Sequence, residues 1–270
     1  MEPNAPLNLM ILGKKQAGKS SSANTILGQE AFDLKNRVTS ECSERHATVS
    51  GRLVSVVDTP GLFDTQMTHE EIMMEIAKSV YLSSPGPHAF LIVFPVNMRF
   101  TEHEQQIPQI IEIMFGQEVL KYSIILFTHG DLLKQNNIED LINGNIKLRH
   151  LVQQCGGRFH VFNNEDANNR EQNIGLLQKI DTMIEQNYGY YSNQMYEDAY
   201  RFRQLEEERR RVNIKLCYFL SITFCFCSVI HLLSFNNINL KITYHLSYMN
   251  ETFFNCIILL ICLGENVSIL

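Results

Sequence analysis

Tryptophan is missing from the 270 residues, and glycine (14) and proline (7) are sparse. Collagen-like repeats and linker-dominated chains are thereby excluded, since both need far more of the last two. Positive charge is also short, with 23 Lys+Arg against 29 Asp+Glu and a net charge of -6. That balance argues against non-specific binding to nucleic acid, which needs clustered cations, so no nucleic-acid partner is expected. Cysteine offers no framework either. Cys42 and Cys155 stand alone, Cys217, Cys225, Cys227, Cys256 and Cys262 fall in an apolar tail, and none is spaced for a disulfide set or a metal. His69, His103 and His160 are scattered, without partners at ligand spacing. What the chain does have is 45% hydrophobic residues, enough at this length to bury a substantial core and to exclude disorder.

Charge divides the chain in two. Residues 216–270 hold only Lys241, Glu251 and Glu265, whereas everything before Leu216 has the charge density of a soluble protein. The opening MEPNAPLNLMILG has no basic stretch before its apolar run. It reads as a first strand rather than a secretory signal, and a cytosolic main domain is expected. Short apolar runs at Leu7–Leu12, Leu53–Val57, Ala89–Val96, Ser123–Phe127 and Phe159–Phe162 predict buried strands, and His46–Ser50 alternates as an edge strand would. Helical candidates lie between them, at about 19–28, 69–82, 102–115, 138–154 and 169–187. This alternation predicts an α/β fold of three layers, a mostly parallel sheet with helices on both faces. Ligands of such sheets sit at the carboxyl ends of the strands.

Gly13-Lys14-Lys15-Gln16-Ala17-Gly18-Lys19-Ser20 follows the first strand and satisfies G-x-x-x-x-G-K-[ST]. Glycines let such a loop curl so that its backbone N–H groups face phosphate oxygens, and the next helix adds partial positive charge. Lys19 is placed for the β- and γ-phosphates and Ser20 for Mg²⁺. Asp58-Thr59-Pro60-Gly61 follows the run Leu53–Val57. Asp58 can hold Mg²⁺ through water there, and the Gly61 N–H can meet the γ-phosphate. Taken alone the tetrapeptide is a good turn, but behind a P-loop it reads as the second phosphate-sensing element. Thr128-His129-Gly130-Asp131 ends the apolar run before it and has the form of the guanine-reading [NT]-K-x-D motif. A carboxylate at Asp131 accepts from guanine N1–H and the exocyclic amine, groups that adenine does not offer in that arrangement. His129 replaces the usual lysine, so an imidazole would cover the base; alternatively, Asp131 is a helix cap. Phe162-Asn163-Asn164 stands where the final base-side loop should be.

These motifs, with Ser21–Gly28, VSVVDTPGLFDT at Val54–Thr65, Leu82–Ala89 and Arg99-Phe100-Thr101, make the chain resemble the immunity-associated GTPase family, the avrRpt2-induced and GTPase-of-immunity-associated proteins. That family is related to septins and chloroplast import receptors, and the likeness covers about residues 7–187. The stretch Leu82–Phe115 is similar to a box that ordinary small GTPases lack. The resemblance implies GTP/GDP and Mg²⁺ binding by Gly13, Gln16, Ala17, Gly18, Lys19, Ser20 and Ser21, with Asp58 and Gly61 sensing the γ-phosphate. It implies base reading by Thr128, His129, Asp131, Asn163 and Asn164. Thr39 is the switch threonine by its distance before Asp58, with Ser40 and Thr48 as nearby alternatives, and Ser20, Thr39 and Asp58 form the metal set. Homo- or hetero-dimers with related GTPases are also implied. Arg99, in the loop Asn97–Thr101, is the candidate for a finger acting in trans, against a solvated loop arginine. Leu62 stands where Ras-type enzymes have glutamine, which predicts slow turnover in the monomer.

The G domain is expected over 7–190 and a charged helical extension over 191–215, ending in Glu206-Glu207-Glu208-Arg209-Arg210-Arg211. Leu216–Phe235 carries no formal charge and is just long enough to span a bilayer, with Arg209, Arg210, Arg211 and Lys215 on the cytosolic side. A transmembrane helix over 216–235, anchored in an intracellular membrane, competes with an incidental apolar tail translated from non-coding sequence; 236–270 has no assigned role. Two rival functions remain open at this point. One is a nucleotide-bound oligomeric scaffold without useful turnover, the other an ATP-using P-loop enzyme.

Overall fold

The computed structural model describes residues 5–34, 39–61, 63, 67–134, 137–166 and 169–235, with the side chains of residues 102, 103, 220 and 222–235 outside that set. Six strands, β1 (Leu7–Gly13), β2 (Ser43–Val49), β3 (Arg52–Asp58), β4 (Ala89–Pro95), β5 (Ser123–Thr128) and β6 (Phe159–Val161), form one sheet in the order β2-β3-β1-β4-β5-β6. β2 runs antiparallel to β3, and every other pairing is parallel. The expected strands are all present, and the edge strand is the β2 hairpin arm, turned by Ser50 and Gly51 at positive φ. Leu9 of β1 lies opposite Val56 on one side and Ala89 on the other. The strand order therefore reverses at β1, and a crevice opens where β1 ends.

Alternation along β1 divides the core. Met10 and Leu12 join Phe90, Ile92, Ile76, Ile111, Phe115 and Leu151 on one face, while Leu7, Leu9 and Ile11 join Ile26, Leu176, Ile180 and Met183 on the other. The helices that cover the first face are α2 (His69–Leu82), α4 (Ile107–Phe115), α5 (Ile138–Gly144) and α6 (Ile146–Gln154); α1 (Lys19–Leu27) and α7 (Arg170–Asn187) cover the second. These are the three expected layers. Two helices read from sequence as continuous are divided. The 102–115 segment breaks after the short α3 (Glu102–Gln105), and Pro108 sits in the first turn of α4, where its missing N–H costs nothing. The 138–154 segment breaks at Asn145, whose extended backbone lets its side chain cap α6 by accepting from the Lys147 and Leu148 N–H groups.

The Leu82–Phe115 box has a structural role at its start. Asn8 of β1 donates from its side chain to the Ser83 and Gly86 carbonyls, and its backbone N–H donates to His88 Nδ1. Burial pushes the His88 pKa down to about 4, which keeps that nitrogen an acceptor at neutral pH. Gly86 cannot carry a side chain, because a Cβ would lie 1.9 Å from the Tyr191 carbonyl. Tyr191 in turn donates its hydroxyl to the Phe115 and Gln117 carbonyls, and Tyr196 is fully buried beside it.

The chain divides into two compact units, Met1–Arg203 and Gln204–Leu270, with the boundary inside α8 (Gln194–Phe235). The charged segment falls in α8 from Gln194 onward, whereas residues 191–193 lie outside any helix. Among the described residues no helix is long and apolar enough to cross a membrane. Most side chains of 216–235, and all of 236–270, lie outside the described residues.

Candidate functional site

The loop between β1 and α1 owes its shape to two glycines and their neighbours. Gly18, at φ 90°, begins α1 in the left-handed region, and a Cβ on it would press against the Thr128 side chain at 3.2 Å. A Cβ on Gly13 would meet the Val93 carbonyl at 3.0 Å. Gln16 also has positive φ, at 60°. Thr128, at the end of β5, donates its hydroxyl to the Ala17 carbonyl at 2.8 Å, so the end of β5 grips the loop after β1 directly. Lys19 is buried at the start of α1, and its Nζ donates to the Lys14 carbonyl at 2.8 Å, drawing the loop closed around it.

Three elements converge beneath this loop. Ser20 Oγ donates to Asp58 Oδ2 at 2.5 Å, and Thr39 Oγ1 lies 3.0 Å from Ser20 Oγ and 3.3 Å from the same carboxylate oxygen. The three residues of the metal set read from sequence thus lie in one cluster, with Thr39 as its member from the segment before β2. Asp58 is almost wholly buried, and burial raises its pKa despite the bonds from Ser20 and Thr39 and the charge of Lys19. Its Oδ1 has no hydrogen-bond partner among the described residues. A hard oxygen set around an unsatisfied carboxylate fits Mg²⁺, which takes carboxylate and hydroxyl oxygens alongside those of a phosphate.

A pocket of about 320 Å³ opens above, lined by Lys15, Gln16, Gly18, Lys19, Ser20, Ser21, Asp33, Leu34, Thr39, Gly61 and His129. Most phosphate-side candidates thus share one cavity. The base side is arranged differently. His129, at φ 59°, faces the pocket, while Asp131 is exposed on the 3₁₀ turn Gly130–Leu133 and does not line it. The Gly130 N–H donates to the Phe162 carbonyl at 2.9 Å and joins the two base-side loops. Asn164 is turned toward α1, accepting from Thr25 and donating to Ser22, and Asn163 accepts from the Glu165 N–H. Arg99 is exposed in the loop after β4, outside the pocket. That loop is nonetheless tied to the phosphate loop. The Lys14 ammonium pairs with Glu104, whose other oxygen accepts from the Thr101 N–H at 2.8 Å. Burial pushes the Glu104 carboxyl up, but the bonds from Lys14 and Thr101 outweigh it and hold its pKa at about 2. Leu62 lies outside the described residues.

The sequence model of the AIG1 family matches residues 7–210. The chain belongs to the AIG1 family. Among curated relatives of this AIG1 protein, Immune-associated nucleotide-binding protein 9 of Arabidopsis thaliana is 34% identical over 221 residues, 76% of this chain and 64% of the relative. GTPase IMAP family member 8 of Homo sapiens is 33% identical over 208 residues, 75% of this chain and 31% of the relative. The AIG1 chain thus spans less than two thirds of the length of these relatives. In fold it is similar to Toc33 from Arabidopsis thaliana in complex with GDP and Mg²⁺, with a TM-score of 0.52 at 17% identity over 66% of this chain and 84% of that one. A further structure, described under the importance of dimerization for the GTPase activity of the chloroplast translocon components Toc33 and Toc159, gives 0.51 at 15% identity over 66% of this chain and 82% of that one.

Lys15, Asp33 and Leu34 line the AIG1 pocket although their residue types point to no role in sequence. Lys15 fills an unspecified place of the P-loop pattern, and Asp33 and Leu34 follow α1 without any motif. The buried Asp58 generates a prediction of opposite signs. Asp58→Asn removes a carboxylate whose ionised form the fold disfavours, so the nucleotide-free protein should gain about 1 kcal/mol, or about 2–4 °C in Tm. The same variant should lose any Mg²⁺-dependent rise in Tm in the presence of GDP. Differential scanning calorimetry with and without EDTA measures both, and a destabilised apo variant would contradict the assignment.

Proposed function

We propose that this chain is a guanine-nucleotide switch that binds GTP or GDP with Mg²⁺ and hydrolyses GTP slowly. The carrying observation is the junction of Ser20, Thr39 and Asp58, which brings the phosphate loop, the segment before β2 and the end of β3 to one buried carboxylate. In this reading the N–H groups from Gly13 to Ser21 and the Lys19 ammonium hold the phosphates. Ser20 and Thr39 would ligate Mg²⁺, Asp58 would hold it through water, and the Gly61 N–H would meet the γ-phosphate. The metal would neutralise phosphate charge and relieve the buried Asp58. On the base side, Thr128 fixes the phosphate loop, His129 covers the base and Asp131 accepts from guanine. Asn163 and Asn164 set the facing loop. The nucleotide-binding and GTPase names of the relatives support this reading.

Leu62 carries no group that can orient a water, so an isolated chain should turn over slowly. Pairing of two G domains across their nucleotide sites would supply what is missing. Arg99 then reaches the partner's phosphates from a loop already braced on its own phosphate loop by Lys14, Glu104 and Thr101. The named dependence of Toc33 activity on dimerization supports this arrangement by analogy of fold. The uncharged run 216–235 behind Arg209, Arg210, Arg211 and Lys215 supports an anchor that keeps the G domain at the cytosolic face of an intracellular membrane.

Three measurements test these readings. Lys19→Ala should abolish binding of GDP and GTP, and Asp131→Ala should weaken GTP by about 2 kcal/mol or more, read by titration calorimetry. Undiminished binding by the first variant, or equal competition by ATP in the parent, would point to a different P-loop chemistry. GTP turnover per molecule should rise with protein concentration, and Arg99→Ala should flatten the rise while leaving GTP affinity unchanged. Turnover at background at every concentration would favour an oligomeric scaffold. The full chain should sediment with membranes and resist alkaline extraction, whereas extraction into the soluble fraction would dismiss the anchor.

A further inference from the structure

Lys15 is a second lysine of the phosphate loop, and its surroundings single it out. It lines the nucleotide pocket together with Thr39 and Gly61, and it also lines an adjoining groove of about 440 Å³ with Ser40, Pro60, Glu71 and Met74. Gly61 is pressed against it, since a Cβ there would stand 2.7 Å from Lys15 Cγ and 2.9 Å from the Lys15 backbone nitrogen. The aliphatic stem of Lys15 therefore crosses the residue whose N–H is assigned to the terminal phosphate.

On the groove side lies the start of α2. Thr68 and Glu71 form a capping box there, each side chain accepting from the other's backbone N–H. Those bonds from Thr68 hold the Glu71 carboxyl below the usual carboxylate range, and the charge of Lys15 adds to them. An ammonium on a flexible four-carbon stem can serve either of two anions without moving its backbone. Lys19 cannot play this part, because it is buried at the start of α1 with its Nζ on the Lys14 carbonyl.

We propose that Lys15 reads the terminal phosphate in cis. Its ammonium turns into the pocket beside Thr39 and Gly61 when a triphosphate is bound, and it faces the Glu71 carboxylate when a diphosphate is bound. The inference rests on the nucleotide-switch reading and adds to it a side chain that makes the start of α2 sensitive to the nucleotide state. It also gives Gly61 a second duty, since only glycine leaves room for the Lys15 stem to cross.

The test compares the affinities of the full-length chain for GDP and for GMPPNP, a triphosphate that is not hydrolysed, using the parent and the variants Lys15→Met, Lys15→Arg, Glu71→Gln and Lys19→Ala. Lys15→Met should weaken GMPPNP by about tenfold or more and change GDP by less than about twofold, the loss of a charge-assisted contact made with one nucleotide alone. Lys15→Arg should keep the preference for GMPPNP. Glu71→Gln preserves the capping box and removes the competing anion, so it should increase that preference. Equal losses for the two nucleotides, or no loss, in Lys15→Met would overturn the role of Lys15 while leaving the switch intact. Absence of nucleotide binding by the parent, or full binding by Lys19→Ala, would instead defeat the switch reading itself.

Discussion

Asp58 ends β3 with its carboxylate almost wholly removed from water, and much of the site is arranged around that cost. An isolated ion in such a place is unfavourable by several kcal/mol unless other charges and hydrogen bonds compensate it. Ser20 and Thr39 satisfy one oxygen, Lys19 lends its charge, and the second oxygen is left over. A site in this condition is unfinished as protein alone. A divalent cation carrying phosphate oxygens would give the leftover oxygen a partner, offset the burial that raises the Asp58 pKa, and give three separate segments a reason to converge on one point.

The same economy of space extends outward from the phosphate loop. Gly13 is limited by Val93, Gly18 by Thr128 and Gly61 by Lys15, so β4, β5 and the segment after β3 each leave an imprint on one short loop. Thr128 reinforces this by bonding the Ala17 carbonyl, and Glu104 adds the loop after β4 through Lys14. A displacement of the phosphate loop would thus be felt by the base-side strand, the segment before α2 and the Arg99 loop together. Close packing of this kind transmits small shifts rather than absorbing them.

How much of this was legible in sequence depended on how local the signal was. The strands were plain, because parallel strands buried on both faces appear as unbroken apolar runs. The phosphate loop and Asp58 were equally plain, since their chemistry demands particular residue types at fixed spacing. The division of the 102–115 and 138–154 helices is harder to read, although Pro108 and Asn145 mark the breaks: residues 102–106 hold no apolar residue whose phase could show a change, and 138–154 has apolar residues at near-helical spacing on both sides of Asn145. Lys15, Asp33 and Leu34 carry no sequence signal for a different reason. A motif specifies the residues common to all phosphate loops and says nothing of the places between them, where specificity is built by tertiary neighbours such as Gly61. Sequence order puts Asn164 after β6, but only the structure shows its amide committed to Thr25 and Ser22 of α1.

Tyr191 and Tyr196 lie beyond α7, in a stretch that no nucleotide motif reaches, yet both rings complete the face of the sheet that holds Phe90 and Phe115. A fragment cut at the last residue of α7 would uncover those phenylalanines and the Phe115 and Gln117 carbonyls at the end of α4 that Tyr191 satisfies. Such a fragment would contain every residue of the site and still carry a sticky apolar flank prone to aggregation. For recombinant work, the usable end of this domain is therefore set by two aromatic rings rather than by its chemistry.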